Sequence, residues 1–297
     1  MEEVKCLLVN KADIVNKTLN EILDIKEPVS DTLLESMGYS LFAGGKRIRP
    51  ILTIMTAEMI DGNEYIARKV GAAIELIHTY SLIHDDLPSM DNDDYRRGKP
   101  TNHKVYGPGM AVLTGDALLT HAFNVLSTLD FSSEKLIKII ELVSNGSGLN
   151  GMVGGQALDL KGEDQKELSV EELNKIHINK TAALFRASIL SGAYCGDPDP
   201  FEIESLKEFS YNLGILFQII DDILDVEGDE KKLGKSTGKD EELNKSTYPD
   251  IIGLKASKKR AQKYAEESKA SLNIFGEKGR HARSALGTSD LPGGIPV

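Results

Sequence analysis

Cysteine, basic residues and long apolar runs are scarce in this chain of 297 residues, and each shortage excludes a class of protein. Cys6 and Cys195 are too few and too far apart in sequence for a disulfide framework or a zinc site. Lys and Arg number 35 against 46 Asp and Glu, a net charge of −11, which argues against nucleic acid or an anionic membrane as a partner. No uncharged apolar run approaches the length of a membrane span, and the acidic N-terminus is unlike a signal peptide. We therefore expect a soluble, cytoplasmic protein.

Alternation with a period of two residues, the pattern of half-buried strands, is also missing, whereas apolar residues recur at helical spacing along most of the chain. Ser30 is a candidate cap for one helix, and Ser169 with Glu172 forms a capping box for another. We predict an all-α fold of ten or more helices, with one domain over residues 1–278. Residues 279–297 are poor in helix formers, which predicts a disordered tail.

The first acidic motif, Asp85-Asp86 with Asp91, ends an apolar helical stretch. Pro88 removes a backbone donor and ends such a helix, so Asp91 should reach the first two acids through a loop. Two polar residues precede the motif on the helical face of Asp85, and two arginines follow it: His78, Ser81, Arg96 and Arg97. Carboxylates beside cations indicate a metal-bridged anion site.

A second acidic motif, Asp221-Asp222 with Asp225, repeats the pattern and is followed by lysines, Lys235 among them. One Asp-Asp pair is usually a solvated face or a helix cap, but two of matching form favour a functional site. Calcium-binding and Walker loops are excluded, because the glycines they require are absent at the matching positions. Two facing motifs would form a cage of oxygen ligands, which suits Mg²⁺ shared with a phosphate.

A metal–diphosphate site inside an apolar helical protein favours one chemistry. Metal and cations stabilise a departing diphosphate, and a dry cavity shields a carbocation from water, so the substrate would be an allylic diphosphate. Lys46 and Arg49, next to Gly44-Gly45, fit either a solvated turn or a phosphate contact. Lys180, beside Thr181, fits equally a buried lysine with a partner and an exposed one.

These residues together resemble the trans-isoprenyl diphosphate synthase family, and most closely its bacterial farnesyl diphosphate synthases. The resemblance covers about residues 30–275 and rests on both acidic motifs and four further segments: Gly44 to Pro50, Gly154-Gly155-Gln156, Lys180-Thr181 and Gln218. It implies the isoprenoid-synthase helical bundle around a central active-site cavity, a homodimer, and three Mg²⁺ ions with substrate bound.

The resemblance also implies a role for each matching residue. The metal-binding positions are Asp85, Asp86, Asp91, Asp221, Asp222 and Asp225. Isopentenyl diphosphate would be held by Lys46, Arg49, His78 and Arg97. The allylic diphosphate would be held by Arg96, Lys180, Thr181, Gln218, Lys235 and Lys245. Catalysis is expected from Asp85, Asp91, Arg96, Lys180, Asp221 and Lys235.

The implied reaction is the Mg²⁺-dependent head-to-tail condensation of isopentenyl diphosphate with dimethylallyl or geranyl diphosphate, which gives farnesyl diphosphate (C15) and diphosphate. Product length in this family follows the bulk at the fourth and fifth positions before the first aspartate, here Ser81 and Tyr80. The aromatic Tyr80 and the insertion Pro88-Ser89 predict a C15 product. Three alternatives stay open: a geranylgeranyl diphosphate (C20) synthase, a terpene cyclase, and a non-catalytic subunit of a heteromeric prenyltransferase.

Overall fold

The computed structural model describes residues 2–163, 168–227 and 246–285, which form a helical bundle and confirm the all-α prediction. The α-helices are α1 Glu2–Ile22, α2 Asp31–Leu41, α3 Ile48–Met59, α4 Glu64–Asp85, α5 Asn102–Tyr106, α6 Pro108–Ser127, α7 Ser133–Ser147, α8 Met152–Glu163, α9 Val170–His177, α10 Ala183–Ala193, α11 Pro200–Glu227, α12 Tyr248–Ile252, α13 Leu254–Ser271 and α14 Arg280–Ala285. A π-helical turn, Ile178–Ala182, joins α9 to α10, and a 3-10 turn, Asn273–Phe275, follows α13.

Local sequence signals set several helix boundaries. The Ser30 hydroxyl accepts a hydrogen bond from the Leu33 N–H at the start of α2 (3.3 Å). Ser169 and Glu172 form the predicted capping box of α9, in which each side chain accepts from the other's backbone N–H. Because these contacts satisfy N–H groups that have no partner within the helix, they determine where each helix begins.

The central helix is α4, which packs against α1, α2, α3, α6 and α10. Every residue from Val70 to Ile77 is buried, and Val70, Ile74 and Ile77 are fully inaccessible to solvent. A helix that is buried around its whole circumference over two turns belongs inside a protein. α10 packs against both α4 and α11, and the end of α11 has its own apolar cluster with α12 and α13. The two helices that carry the acidic motifs are thus both held by burial.

The described residues also contain two very short strands that the sequence pattern does not indicate. Tyr95–Arg96 and Lys99–Pro100 pair as two short antiparallel strands. Arg97 and Gly98 connect them, and both have positive φ (54° and 76°), as a type I′ hairpin turn requires. Strands of two residues are too short to show any periodicity, so the pattern of the sequence does not reveal them.

The predicted disordered tail is wrong for residues 280–285, which form α14. Ala282 is buried there, and Arg283 donates hydrogen bonds to the carbonyl oxygens of Leu272 (2.7 Å) and Gly276. These contacts attach the segment to the end of α13. Residues 286–297 lie outside the described residues. None of the described helices has the length and apolar composition that crossing a lipid bilayer requires.

Candidate active site

The two acidic motifs face each other across a cavity of about 250 Å³. It lies between the end of α4, the loop after it, α8, the π-helical turn, α11 and the start of α12. Its acidic lining residues are Asp85, Asp91, Asp93, Asp159, Asp221 and Asp222. Its basic and neutral polar lining residues include Arg96, Lys180, Thr181 and Gln218. The predicted meeting of the two motifs therefore occurs.

The loop after α4 returns Asp91 to the end of the helix. The Asp91 N–H donates to the carbonyl oxygen of Asp85 at 2.9 Å, and the Leu87 carbonyl accepts from the N–H groups of Met90 and Asn92. Pro88 lies within this turn and has no N–H to contribute. Asp85 from the helix and Asp91 from the loop consequently line the same cavity, by the route that the proline predicts.

Burial raises the pKa of the Asp85 carboxyl from its ordinary 3.8 to about 6. The positive charges of Lys180 and Arg96 lower this pKa, and the negative charges of Asp91 and Asp86 raise it further. A raised pKa means that the ionised carboxylate is destabilised where it lies, and a cation bound beside it would stabilise that ionised form. The first motif therefore has the electrostatic character of a cation site.

Asp86 has a different role from its neighbour. The residue is 3% exposed, and both of its carboxylate oxygens accept hydrogen bonds from the Arg96 Nε at 2.8 Å, with a further bond from Nη2 to Oδ1 at 2.6 Å. Burial raises the pKa of Asp86, and the Arg96 guanidinium opposes that rise. Asp86 does not line the acidic cavity, whereas Arg96 does. The contact thus holds the arginine at the cavity wall.

The π-helical turn carries Lys180 and Thr181 into the cavity, where the sequence predicted regular helix. Gly155 of α8 lies against this turn so closely that a Cβ on it would be 2.0 Å from the backbone nitrogen of Lys180. Gly155 thus serves close packing of α8 against the π-helical turn. Single wide turns of this kind often occur at functional sites, because they turn side chains out of the regular helical pattern.

The polar side chains of this wall already form pairs. Lys180 Nζ lies 2.5 Å from Asp159 Oδ2, which identifies the partner that a half-buried lysine needs. The Thr181 hydroxyl donates to the amide oxygen of Gln218 on α11 at 2.7 Å. Asp159 was missed as a site residue, although it lies one helical turn after Gly155. Its place in the cavity lining and its contact with Lys180 show that it belongs here.

In the second motif, Asp221 and Asp222 line the cavity but Asp225 does not. Asp222 Oδ2 accepts a hydrogen bond from the Tyr248 N–H at 2.9 Å and lies 3.9 Å from His177 Nε2. Asp225, one turn further along α11, is buried, and its Oδ1 has no hydrogen-bond partner among the described residues. A buried carboxylate oxygen without a partner is one that a bound cation would satisfy.

The predicted residues of the isopentenyl site form a separate basic group outside the lining of the acidic cavity. The guanidinium of Arg97 lies over the turn before α3, where it donates to the Gly44 carbonyl, and a Cβ on Gly45 would be 2.6 Å from its Nη1. The positive φ of Gly45 (124°) favours glycine at this position. Lys46, next to it, is exposed.

Arg49 and His78 complete the basic group. The Arg49 guanidinium lies 4.8 Å from the ring centroid of Phe185, and its Nε has no hydrogen-bond partner among the described residues. Burial lowers the Arg49 pKa to about 10, so the side chain still carries its charge at neutral pH. Burial is the main cause that holds the pKa of His78 well below its ordinary value, and the positive charges of Arg49 and Arg97 lower it further. This imidazole is therefore neutral. An anion would relieve the repulsion within such a group.

Arg47, in the same basic segment, has a structural role that the sequence did not indicate. Its guanidinium is buried and forms an ion pair with the buried Glu75 of α4 at 2.8 Å. It also donates to Asn16 and to the Leu41 carbonyl. Arg47 therefore ties α1, α2 and α4 together, and leaves ligand contacts to the cations beside it.

Tyr80, the predicted determinant of product length, is 6% exposed and lies on α4 just before the first motif. Its ring contacts His84 edge-on, with the centroids 5.7 Å apart, and burial together with the Asp85 carboxylate raises its pKa to about 12. The Ser81 hydroxyl donates to the carbonyl of His78 at 2.9 Å. Tyr80 is thus a rigid aromatic side chain near Asp85.

Two predicted lysines of the allylic site, Lys235 and Lys245, lie outside the described residues. Among the residues that are described, no group of three or more His, Cys, Asp and Glu side chains could hold a metal ion without other ligands. Mg²⁺ is usually bound by one or two carboxylates, several waters and substrate phosphates. The raised pKa of Asp85 and the unpartnered oxygen of Asp225 fit such an ion.

Residues 30–277 match the polyprenyl synthetase family. The chain belongs to this family. It is therefore a prenyltransferase of isoprenoid biosynthesis, and members of the polyprenyl synthetase family depend on Mg²⁺ and use isoprenyl diphosphates. The family is the one that the acidic motifs and their neighbours indicated.

The relatives within the polyprenyl synthetase family differ in the product they are named for. A farnesyl diphosphate synthase of Micrococcus luteus is 48% identical over 251 residues, which is 84% of this chain and 86% of that protein. A chloroplastic geranylgeranyl pyrophosphate synthase of Catharanthus roseus is 44% identical over 275 residues, covering 92% and 76% of the two chains. A crystal structure of a Helicobacter pylori geranyltransferase complexed with magnesium and isoprenyl diphosphate has a TM-score of 0.82 and 31% identity, covering 94% of each chain.

Proposed function

We propose that this protein condenses isopentenyl diphosphate with dimethylallyl or geranyl diphosphate in a Mg²⁺-dependent, head-to-tail reaction that yields farnesyl diphosphate and diphosphate. The observation that carries the proposal is the cavity in which Asp85, Asp91 and Asp221 meet Arg96 and Lys180. Carboxylates facing one another repel unless cations lie between them, and cations of the chain beside them suit a second, anionic ligand. A metal-bound diphosphate satisfies both requirements.

The chain's own residues would hold the leaving group. Lys180 lies at the wall with its ammonium group against Asp159, and Arg96 is oriented by Asp86. Both can bind diphosphate oxygens as the carbon–oxygen bond of the allylic substrate breaks, which leaves an allylic cation. Thr181 adds a hydroxyl that Gln218 orients. When bound, Mg²⁺ would neutralise the departing diphosphate, and three ions are expected with substrate present.

The basic group of Arg49, His78 and Arg97, with the exposed Lys46, would hold isopentenyl diphosphate. Its double bond adds to the allylic cation and forms one new carbon–carbon bond. The resulting cation loses a proton, which the released diphosphate would accept. Because His78 is neutral, it would bind the diphosphate by hydrogen bonding and not by charge.

Tyr80 supports the C15 product over the C20 alternative. The ring is buried beside Asp85, so a chain growing away from the first motif along α4 would meet it. The names of the relatives support either length, since the M. luteus protein is a farnesyl and the C. roseus protein a geranylgeranyl synthase. The C20 product is thus the second candidate.

We also propose a homodimer, formed through α6. This helix exposes Val112 (41%) and Leu113 (55%), and Val105 of the adjoining α5 is 46% exposed. Grouped apolar side chains on a surface are typical of protein interfaces. Light scattering of the purified chain should give twice the mass of 32.4 kDa, and Leu113→Asp should shift it to the monomer. A monomeric parent chain would contradict the dimer.

The cytoplasmic location stays a prediction, because the C. roseus relative is named as chloroplastic.

The deciding experiment incubates the purified chain with Mg²⁺, labelled isopentenyl diphosphate and either dimethylallyl or geranyl diphosphate, and separates the dephosphorylated products by length. We expect a C15 product that disappears with chelator and returns with Mg²⁺; a parallel series with Mn²⁺ gives the metal preference. A C20 product would replace farnesyl by geranylgeranyl synthesis. Product formed without isopentenyl diphosphate would indicate a cyclase, and no product under any condition would favour the non-catalytic subunit.

A further inference from the structure

Tyr248 lies at the end of the second motif's hydrogen-bond network. It is fully buried and is the first residue of α12. Its N–H donates to Asp222 Oδ2 at 2.9 Å. The N–H groups in the first turn of a helix have no partner within that helix, so this one is available to a carboxylate. Thr247 and Asp250 form a capping box that determines where α12 begins, and so where this N–H points.

The side chain of Tyr248 is held on several sides. Its hydroxyl donates to Oδ1 of Asn174 on α9. Its ring lies 5.6 Å from that of His177, and the Arg260 guanidinium of α13 lies 5.7 Å from the ring centroid on another side. Burial of the whole residue together with these contacts leaves the phenol one position. The backbone that carries the N–H is therefore anchored to α9 and α13.

We propose that Asn174 and Tyr248 are positioning residues for the second acidic motif: the Asn174–Tyr248 hydrogen bond fixes the start of α12, and the Tyr248 N–H then orients the Asp222 carboxylate in the cavity. This inference rests on the proposed function in one respect, that the cavity binds Mg²⁺ and a diphosphate. The residues that line the cavity include Asp222 but neither Asn174 nor Tyr248. Both residues would therefore act through Asp222.

A physical reason supports an anchor at this point. Asp222 is a short side chain at the wall of an open cavity, and a hydrogen bond to one of its oxygens selects one orientation of the carboxylate. Groups that orient metal-binding carboxylates in this way typically change metal affinity by about 10- to 100-fold when removed. The Asn174–Tyr248 bond is one contact further from the ion. We expect a change of about three- to tenfold, which corresponds to the net contribution of one hydrogen bond.

The test measures Mg²⁺-dependent binding of inorganic diphosphate to the full chain by calorimetry. Tyr248→Phe removes only the hydroxyl, and it keeps the ring contacts with His177 and Arg260. Asn174→Ala removes the acceptor, and Asn174→Asp retains an acceptor oxygen. Tyr65→Phe is the matched control, because Tyr65 is 61% exposed at the start of α4.

Tyr248→Phe and Asn174→Ala should each weaken binding about three- to tenfold. The double variant should be no weaker than either single one, because both remove the same bond, and Asn174→Asp should bind like the parent chain. In the condensation assay, the Mg²⁺ concentration for half-maximal rate should rise by the same factor while kcat at saturating Mg²⁺ stays within about twofold, a split that general loss of structure would not produce.

Unchanged binding in both single variants, additive losses in the double variant, or no Mg²⁺-dependent diphosphate binding by the parent chain would overturn the positioning proposal. The binding assay needs no turnover, which separates this inference from the proposed function. If the parent chain binds diphosphate and the variants weaken it as expected while no prenyl product forms, the positioning role stands and the proposed reaction fails.

Discussion

Replacing Asp85 by asparagine should make the metal-free protein more stable at neutral pH while abolishing its activity. Burial raises the folded-state pKa of this carboxyl from 3.8 to about 6. A carboxyl with a higher pKa in the folded state binds more protons when folded, so its ionisation destabilises the fold. The penalty is absent below the unfolded-state pKa of about 4 and complete above the folded-state pKa of about 6.

The two pKa values give the size of this effect. Linkage predicts that ionisation of Asp85 lowers the free energy of unfolding by roughly 2 kcal/mol at pH 5 and roughly 3 kcal/mol at pH 7. Asparagine cannot ionise, so the variant avoids this loss. The difference in unfolding free energy between variant and parent should therefore grow by about 1 kcal/mol between these two pH values. Taking that difference cancels the contribution of groups common to both proteins, such as His177, whose lowered pKa acts with the opposite sign.

Urea unfolding in chelator at pH 5, 6 and 7 measures the effect, with Asp13→Asn on the exposed side of α1 as the control for losing one negative charge. Adding Mg²⁺ and inorganic diphosphate should stabilise the parent chain more than Asp85→Asn, because the ligand binds the ionised carboxylate. A variant that is less stable than the parent at pH 7, or a difference that does not grow from pH 5 to pH 7, would refute the argument that Asp85 is held at an electrostatic cost.

Three further substitutions test the length determinant, the buried ion pair and the glycine contact. Tyr80→Ala should shift the product to C20 or longer, because it removes the ring beside the first motif; an unchanged product profile would exclude Tyr80 as the determinant. Glu75→Gln leaves the buried Arg47 without its countercharge and should lower the unfolding free energy by about 3 kcal/mol in urea, whereas a loss under about 1 kcal/mol would contradict this role. Gly155→Ala places a Cβ 2.0 Å from the backbone nitrogen of Lys180. This contact should displace the π-helical turn, so that the unfolding free energy falls by about 1–3 kcal/mol and kcat falls with it. A normal kcat in a destabilised protein would show that the position of this turn does not affect catalysis.

The local features of the fold could be predicted from sequence because each depends on residues close together in the chain. Ser30 and the pair Ser169 and Glu172 act within one helical turn, and the helical spacing of apolar residues in α4 reports burial directly. The two acidic motifs are also local patterns, and their repetition predicted one shared site. Their family resemblance then indicated the chemistry.

The tertiary structure decided the contacts between residues that are not neighbours in the sequence. Asp85 and Asp86 are neighbours of identical type, yet one lines the cavity and the other binds Arg96, because the chain after α4 folds back and places that arginine against Asp86. Nothing in an Asp-Asp pair distinguishes these roles. The difference arises from how the chain folds back on itself.

The partners of the second wall are decided in the same way. Asp159 and Lys180 are 21 positions apart, and the Tyr248 N–H reaches Asp222 across 26 positions. Neither pairing follows from spacing or composition, because each exists only after α8, the π-helical turn, α11 and α12 have packed together. The sequence by itself determined the residue types, the helices and the two acidic motifs. Packing determined which carboxylates face the cavity, which cations accompany them, and which residues hold both in place.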